Sequence, residues 1–248
     1  MSDIQTVSIA GENSLIVYFA DKPSAATSAE IAATAKKLTA FLGATLIDLV
    51  PSYASLLVIF DPFKTDHQSV RRAIWTALKA INKTPATRHV NNGSLVSLPV
   101  YYSTESGPDL QAIADGAGLS AEEVIAIHQQ AEYRVYAIGF APGFAYLGEV
   151  DKRIATPRLA TPRSRVPRGS VAIADRQTAV YPAQSPGGWN LIGKMPVPLF
   201  DPARAEPIMF RPGDRVKFFQ IDEAEFTRLK QATEGGAMPL SPEMTGQR

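Results

Sequence analysis

The chain has 248 residues, of which 45% are hydrophobic, and its 25 basic residues nearly balance its 24 acidic ones. This balance argues against a general electrostatic attraction to nucleic acid or to a membrane surface. The absence of cysteine excludes disulfides, thiolate metal sites and a cysteine nucleophile. The sequence shows neither a signal peptide nor a long apolar span, so we expect a cytoplasmic protein without membrane or nucleic acid partners.

Residues 1–85 alternate between strand-like and helix-like patterns, which predicts an α+β N-terminal domain over this range. Two strand pairs are expected, each followed by a helix, in the order β-β-α-β-β-α. The first helix is predicted over residues 28–42 and the second over residues 66–81. The apolar side of the second helix is expected to include Trp75.

A polar segment with proline and glycine at residues 83–93 is predicted to be a linker. A strand and two short helices are expected after it. The second of these helices is predicted to begin at Ser120, because Glu123 stands three residues later and completes a capping box.

Residues 133–219 contain many short apolar runs, each broken by proline or glycine and without a helical period. This pattern is typical of an all-β barrel. We therefore predict a mainly β barrel domain over residues 94–225, followed by a disordered tail over residues 231–248.

The first segment that could carry chemistry is a strand that enters a Pro-Gly turn ending at Gly143. Glycine lets the backbone approach a ligand closely, and proline fixes the bend. Phe140, Phe144 and Tyr146 flank the turn and are candidates to line a pocket. The alternative, favoured by these residues alone, is a tight barrel corner whose aromatic side chains belong to the core.

The second segment repeats Pro-Arg three times at a five-residue period, which places Arg158, Arg163 and Arg168 directly after prolines. Proline stiffens the chain, and the fork of an arginine suits a carboxylate or a phosphate. The alternative is a solvated charged edge. The rigidity and the lack of acidic neighbours favour an anion site, with Arg158 and Arg163 as the candidates.

The third segment is a Gly-Gly-Trp turn with Ser185, Gly187, Gly188 and Trp189 as candidate binding residues. Such a turn can present backbone amides and an indole to a ligand or a partner. The Gly-x-x-x-x-Gly-Lys run that overlaps it imitates a P-loop. Met195 stands where the magnesium-binding Ser or Thr belongs, and prolines follow instead of a helix, so a Walker A site is rejected.

His128 ends the helix that precedes the first of these segments, and it is a candidate general base or ligand-binding donor. The alternative is a histidine that interacts with the helix dipole at the C-terminus of its helix. Both interpretations stay open. The three histidines of the chain are scattered, which argues against a zinc site.

In order, the motifs Gly139-Phe-Ala-Pro-Gly-Phe, Val166-Pro-Arg-Gly-Ser-Val and Ser185-Pro-Gly-Gly-Trp resemble the KipI family. This family is also called allophanate hydrolase subunit 1, or the B subunit of 5-oxoprolinase. The resemblance extends over about residues 98–221. It implies that the barrel is cyclophilin-like, and that the chain acts in an ATP-dependent 5-oxoprolinase that opens 5-oxo-L-proline to L-glutamate.

The resemblance also implies partners and cofactors. The expected partners are two further 5-oxoprolinase subunits, one of the KipA or allophanate hydrolase subunit 2 type and one of the LamB/YcsF type. ATP would act at the level of the holoenzyme, with no covalently bound cofactor and no metal site in this chain. The isolated chain is expected to be inactive.

The sequence departs from the usual family wording at Arg168, where a small residue is common, at Asp175-Arg176 and at Lys194-Met195. These are expected to be turn or rim positions. Two alternative functions stay open. One is a non-catalytic inhibitor of a sporulation-type histidine kinase, and the other is a carboxyltransferase or allophanate-type module of urea metabolism.

Overall fold

The computed structural model of the chain describes residues 6–82 and 93–235. The chain divides into two compact units, Met1–Asn92 and Gly93–Arg248. The finer domain bounds given above stay predictions, and the predicted linker lies, except for Gly93, outside the described residues. None of the described helices combines the length and the apolar character that crossing a membrane requires.

The first unit contains a four-stranded antiparallel sheet and two helices. Its elements are β1 (Thr6–Gly11), β2 (Ser14–Tyr18), α1 (Ala25–Leu42), β3 (Leu46–Pro51), β4 (Ser55–Phe60) and α2 (His67–Asn82). The strands are ordered β1-β2-β4-β3 in the sheet. A short 3-10 turn at Gly43–Thr45 separates α1 from β3.

The ends of α1 follow from its capping residues. The hydroxyl of Ser24 accepts a hydrogen bond from the backbone amide of Thr27, so the helix begins three residues before the predicted Ser28. Gly43 ends it with a φ of 47°, a conformation that favours glycine. In α2, Trp75 is 39% exposed, which corrects its predicted place among the core residues of that helix.

The second unit contains most of the strands. Its elements are β5 (Leu95–Val100), α3 (Leu110–Ala117), α4 (Ala121–Gln130), β6 (Glu132–Ile138), β7 (Ala145–Gly148), β8 (Arg163–Val166), β9 (Ser170–Ala174), β10 (Gln177–Val180), β11 (Ser185–Gly187), β12 (Asn190–Lys194), β13 (Arg215–Gln220) and α5 (Glu223–Glu234). The predicted capping box at the start of α4 is present, with Ser120 and Glu123 bonded in both directions.

Seven strands form one sheet in the order β12-β9-β10-β7-β6-β13-β5. Only the β13–β5 pair among these strands is parallel. The two edges approach each other just beyond β5, where Tyr101 and Lys194 exchange two backbone hydrogen bonds of 2.9 Å. The sheet is therefore nearly closed into a barrel, which confirms a mixed α/β chain with a barrel-like sheet. Strands β8 and β11 form a separate two-stranded sheet.

The interior of this unit is a continuous apolar core. Leu98 and Val100 of β5, Val135 of β6 and Phe218 of β13 are at most 1% exposed. Helices α3 and α4 cover part of the sheet with apolar side chains such as Val124. This packing makes the barrel a filled core rather than an open channel.

Helix α5 is a departure from the prediction. Asp222 caps its N-terminus by accepting from the amide of Glu225, and an aspartate before a helix is a capping signal that the sequence also contains. Residues 231–234, predicted to begin a disordered tail, are the last turn of this helix. The rest of the predicted tail, residues 236–248, lies outside the described residues.

Candidate functional site

The first and third candidate segments meet in an aromatic cluster, which we define as Phe144, Tyr146, Tyr181 and Trp189. The ring of Phe144 lies 4.9 Å from that of Tyr146, 5.5 Å from Tyr181 and 5.8 Å from Trp189, all between centroids. All three contacts are edge-to-face, the geometry that aromatic rings prefer. Phe144 is 2% exposed, so it belongs to the core beneath the site.

The Pro-Gly turn presents one aromatic side chain to solvent. The amide of Phe144 donates to the carbonyl oxygen of Ala141 at 2.9 Å, and Gly143 adopts a φ of 83°, as a type II turn requires. Phe140 also has a positive φ of 72°, which is strained for a residue of its size. Its side chain is 64% exposed and lies 5.2 Å from the ring of Phe144.

The second segment is tied to the third by backbone contacts. The amide of Leu159 donates to the carbonyl oxygen of Gly188 at 2.7 Å. The side-chain amide of Asn190 donates to the carbonyl oxygen of Pro157 at 2.8 Å. Gly187 lies against the hydroxyl of Tyr181, where a side chain would clash. The structure thus brings all three candidate segments together.

Arg158 lies at the edge of this cluster. The carbon of its guanidinium is 5.6 Å from the ring centroid of Trp189, within the range of a cation–π contact. Its side chain is exposed, and among residues 6–82 and 93–235 it has no carboxylate partner. Arg158 is therefore a cation held over an aromatic face with hydrogen-bond donors to spare.

Arg163 has a different environment. Its Nη2 donates to Oδ1 of Asp109 at 2.7 Å, and Oδ2 of Asp109 accepts from the amide of Leu191 at 2.7 Å. Its Nη1 is buried and has no partner among the described residues, and the same is true of the hydroxyl of Ser185. Asp109 therefore already binds Nη2 of the guanidinium that was predicted to bind an external anion.

Tyr181 and Asp109 are the two site residues that sequence reasoning missed. Tyr181 lies inside the cluster, with its ring 5.5 Å from that of Phe144 and its hydroxyl against Gly187. Burial raises the pKa of Tyr181, while Arg158 and Arg163 act against that rise. The phenol is therefore protonated at neutral pH. Tyr181 stands four residues before Ser185, and this closeness to the third segment is the feature of the sequence that could have indicated it.

The arginine segment is not one continuous strand. Only residues from Arg163 onward form β8, and Arg158 lies in an irregular stretch after Thr156, which bridges to Asp175. Arg168 lines a separate pocket together with Lys194. Two of the three Pro-Arg arginines thus belong to the candidate site.

His128 lies in the interior of the second unit and is fully buried. Its ring stacks on Phe218 at 4.7 Å. Nδ1 is 2.8 Å from the hydroxyl of Tyr102, and Nε2 is 3.0 Å from the hydroxyl of Thr178. We call Tyr102, His128 and Thr178 the buried histidine network.

The hydrogen positions of this network follow from its partners. Thr178 donates its single hydroxyl hydrogen to the carbonyl oxygen of Ala172, so it accepts from His128. Nε2 therefore carries the hydrogen, and Nδ1 accepts from Tyr102. Burial lowers the pKa of His128 from 6.5 to about 3, so the ring is neutral. Both ring nitrogens are occupied, which argues for a structural role and against the predicted general base.

The geometry defines what the site can do. It offers an exposed, strained aromatic residue, a free guanidinium over an indole, and two buried polar atoms without partners in the described structure. These features suit binding of a group that carries a negative charge or of a partner surface. The described residues contain no group of three or more His, Cys, Asp or Glu side chains that could hold a metal ion.

Comparison with known proteins adds the family. The family model for the carboxyltransferase domain, subdomain C and D, matches residues 5–210. The chain is 38% identical to the B subunit of 5-oxoprolinase from Bacillus subtilis, over 89% of this chain and 95% of that protein. It is 47% identical to the B subunit of 5-oxoprolinase from Escherichia coli O157:H7, over 50% of this chain and 56% of that protein.

Two solved structures support the same assignment at the level of the fold. The structure of TTHA0988 superposes with a TM-score of 0.73 and 37% identity, covering 88% of this chain. This chain spans only 40% of TTHA0988. The urea amidolyase of K. lactis superposes with a TM-score of 0.75 at 18% identity, which shows a shared fold alone. With the matched domain and the closely similar B subunits, these findings establish that the chain belongs to the 5-oxoprolinase B subunit family of carboxyltransferase-type domains.

Proposed function

We propose that this chain is the B subunit of an ATP-dependent 5-oxoprolinase complex, which opens the lactam of 5-oxo-L-proline to give L-glutamate. The observation that carries the proposal is the 38% identity to a 5-oxoprolinase B subunit across 89% of this chain. The convergence of three separate segments on one aromatic cluster supports the proposal that this cluster is where the chain contributes to the complex.

The proposed reaction explains why ATP is needed. A lactam amide is stable, because its nitrogen lone pair is delocalised into the carbonyl. Transfer of a phosphoryl group to the lactam oxygen makes that oxygen a leaving group. Water then adds to the activated carbon, the carbon–nitrogen bond breaks and the nitrogen takes up protons, which leaves an acyl phosphate. A second water molecule hydrolyses this acyl phosphate to the free carboxylate and phosphate.

Within the complex, we assign binding rather than proton transfer to this chain. Arg158 would hold the substrate carboxylate or a phosphate, since its guanidinium has no carboxylate partner in the described structure. Arg163 would add its unpartnered Nη1. Phe140, Gly143 and Tyr146 would form one wall, and Ser185, Gly187, Gly188 and Trp189 the other, with Phe144 supporting both. His128 has no part in this site, because its ring is buried and fully bonded.

The partners of the complex are part of the proposal. One subunit of the KipA type and one of the LamB/YcsF type would complete the enzyme, and the cyclophilin-like character of the barrel and a cytoplasmic location belong to the same assignment. The candidate site contains no nucleophile–base pair, so the isolated chain should not open 5-oxoproline.

The test is reconstitution. The three purified subunits are mixed with 5-oxoproline and ATP, and glutamate and phosphate are measured with and without this chain. We expect glutamate and phosphate to form in equal amounts, and only when all three subunits are present. Glutamate formation that is unchanged when this chain is left out would refute the proposal.

The alternatives have their own outcomes in the same experiment. If the chain has no effect on glutamate but lowers the autophosphorylation of a sporulation-type histidine kinase, the inhibitor role replaces the proposal. If the complex carboxylates urea or hydrolyses allophanate instead, the urea-metabolism role replaces it. The similarity to urea amidolyase favours neither, because it reflects the fold alone.

A further inference from the structure

A pocket with a volume of about 170 Å³ lies in the second unit, and its lining shares no residue with the aromatic cluster. Three elements line it: the turn that joins β8 to β9, the end of β12, and α5. Its basic residues are Arg168, Lys194 and Lys230, and we call it the basic pocket. Met195, Pro196 and Phe226 supply apolar surface.

The backbone that carries two of these cations is rigid. Pro167, Arg168, Gly169 and Ser170 form a turn closed by a 3.3 Å hydrogen bond, and Gly169 has the φ of 83° that a type II turn needs. The carbonyl oxygen of Gly169 accepts from the amide of Met195 at 2.8 Å, which fixes the turn against the end of β12. Arg168 and Lys194 therefore project from backbone that is held on both sides.

The third cation comes from α5. Phe226 of this helix packs on Tyr101 with 5.7 Å between ring centroids, at the point where the barrel nearly closes. Lys230 lies one turn further along the helix and lines the same pocket. Arg168 and Lys194, two positions at which the sequence differs from the usual family residues, thus line one pocket together with α5, which lies outside the three family motifs.

The positive charges of the pocket are only partly compensated, by Glu234, which also lines it. Among the described residues, Arg168 and Lys194 have no ion-pair partner, and Lys230 has only a loose contact of 3.9 Å with Glu234. Seven other arginines of this unit are paired with carboxylates, namely Arg153, Arg163, Arg176, Arg204, Arg211, Arg215 and Arg228. Three cations around a small volume repel one another unless an anion lies between them.

We propose that the basic pocket binds the phosphate groups of a small ligand. An arginine fork and two lysine ammonium groups match the several oxygens and the multiple charge of a di- or polyphosphate. The pocket is smaller than the roughly 300–1,000 Å³ that enclose a drug-sized molecule, so it would take a phosphate tail and leave any attached group outside.

This site is independent of the proposed function, because none of its residues belongs to the aromatic cluster. The test uses the full chain and isothermal titration calorimetry with pyrophosphate at low salt. We expect one pyrophosphate per chain, with binding that weakens as salt is raised. Arg168→Ala and Lys194→Ala should each weaken it about tenfold or more.

The other variants refine the assignment. Lys230→Ala should weaken binding less, because the charge of Lys230 is partly neutralised by Glu234, and Glu234→Gln should tighten binding. Arg168→Lys should recover part of the loss. Lys217→Ala is the matched control, since Lys217 is an exposed cation of β13 outside the pocket. Circular dichroism checks that each variant is folded.

Parallel titrations with ATP and AMP identify the source of the phosphate. If ATP binds more tightly than pyrophosphate and Arg168→Ala weakens both equally, the ligand of the pocket is the phosphate tail of a nucleotide. Weaker binding of ATP assigns free polyphosphate. No binding of pyrophosphate to the parent chain, or equal binding to the parent and to all pocket variants, overturns the proposal.

Discussion

The buried histidine network and the aromatic cluster lie in the same unit, and the sequence predicted functional residues in both. In the network, each nitrogen of the His128 ring has a partner, and Thr178 passes its own hydrogen on to Ala172. At the cluster, Arg158 has no carboxylate partner in the described structure, and Nη1 of Arg163 and the hydroxyl of Ser185 are buried without any partner there.

The difference separates residues that hold the fold from residues that can bind something else. A buried polar atom without a partner costs about 1–3 kcal/mol, so a purely structural region tends to pair all of its polar atoms. The network does so, whereas Arg163 and Ser185 of the candidate site each keep one buried polar atom without a partner among the described residues. Substitutions are therefore expected to cost most stability in the network and least at the rim of the cluster. Their expected effect on the activity of the complex increases in the same direction.

The largest effect on stability is expected for His128→Ala. The change leaves a cavity in the core and removes the partners of Tyr102 and Thr178, so the free energy of unfolding should fall by roughly 3–5 kcal/mol. Urea denaturation measures it. Tyr102→Phe, which keeps the ring and removes one hydroxyl, should cost only about 1 kcal/mol. A stable His128→Ala protein whose complex forms no glutamate would reverse our interpretation and make His128 catalytic.

A related effect depends on pH. Burial lowers the pKa of His128 from 6.5 to about 3, so within that window the unfolded chain binds a proton that the folded chain does not. This contribution to stability is complete above pH 6.5 and is lost as the pH falls, by about 1.4 kcal/mol per pH unit. Lowering the pH by about 1.5 units from 6.5 should therefore reduce the free energy of unfolding by about 2 kcal/mol.

Carboxyl groups also titrate at the acidic end of this range, so the comparison needs a matched protein. His128→Gln retains a polar side chain of similar length and lacks the titrating ring. Its free energy of unfolding should fall less steeply below pH 6.5. If the free energy of unfolding of the two proteins has the same slope against pH, the pKa of His128 is not lowered in the folded state.

Arg163 lies between the two extremes. Its ion pair with Asp109 is partly buried, with side-chain exposures of 29% and 13%. Arg163→Ala should lower the free energy of unfolding by about 1–2 kcal/mol, and Asp109→Ala by more, because the amide of Leu191 also loses its acceptor. A double-mutant cycle measures the coupling between the two residues. A coupling near zero would mean that Arg163 is free to bind an external anion with its whole guanidinium.

The smallest effect on stability, and the largest on activity, is expected for Arg158→Ala. Its exposed contact with Trp189 should contribute at most about 1 kcal/mol to stability. Glutamate formation by the reconstituted complex should fall about ten- to a hundredfold, and Arg158→Lys should recover only part of it. Arg165→Ala is the control, since Arg165 is also exposed and its Nε donates to Oε1 of Gln184. Parent-like turnover and assembly of Arg158→Ala would make this edge of the cluster a solvated surface.

Local features were predictable from the sequence because they depend on residues a few positions apart. The capping box at Ser120, the end of α1 at Gly43 and the type II turn at Gly143 are all of this kind. Helix α5 was predictable by the same reasoning from Asp222, and only its last residues, 231–234, fell within the predicted tail. The three motifs also indicated the family, which the similarity to known B subunits then established.

The tertiary structure alone decided which of the candidate residues lie together. Arg163 pairs with Asp109 across 54 positions of sequence, and His128 bonds to Thr178 across 50. Such contacts depend on which strands are neighbours, and spacing along the chain does not determine that order. The depth of His128 depends in the same way on the packing of α4 against β13, where the ring stacks on Phe218. A histidine at a helix end can face water or the core, and only the neighbouring strands made this one a core residue.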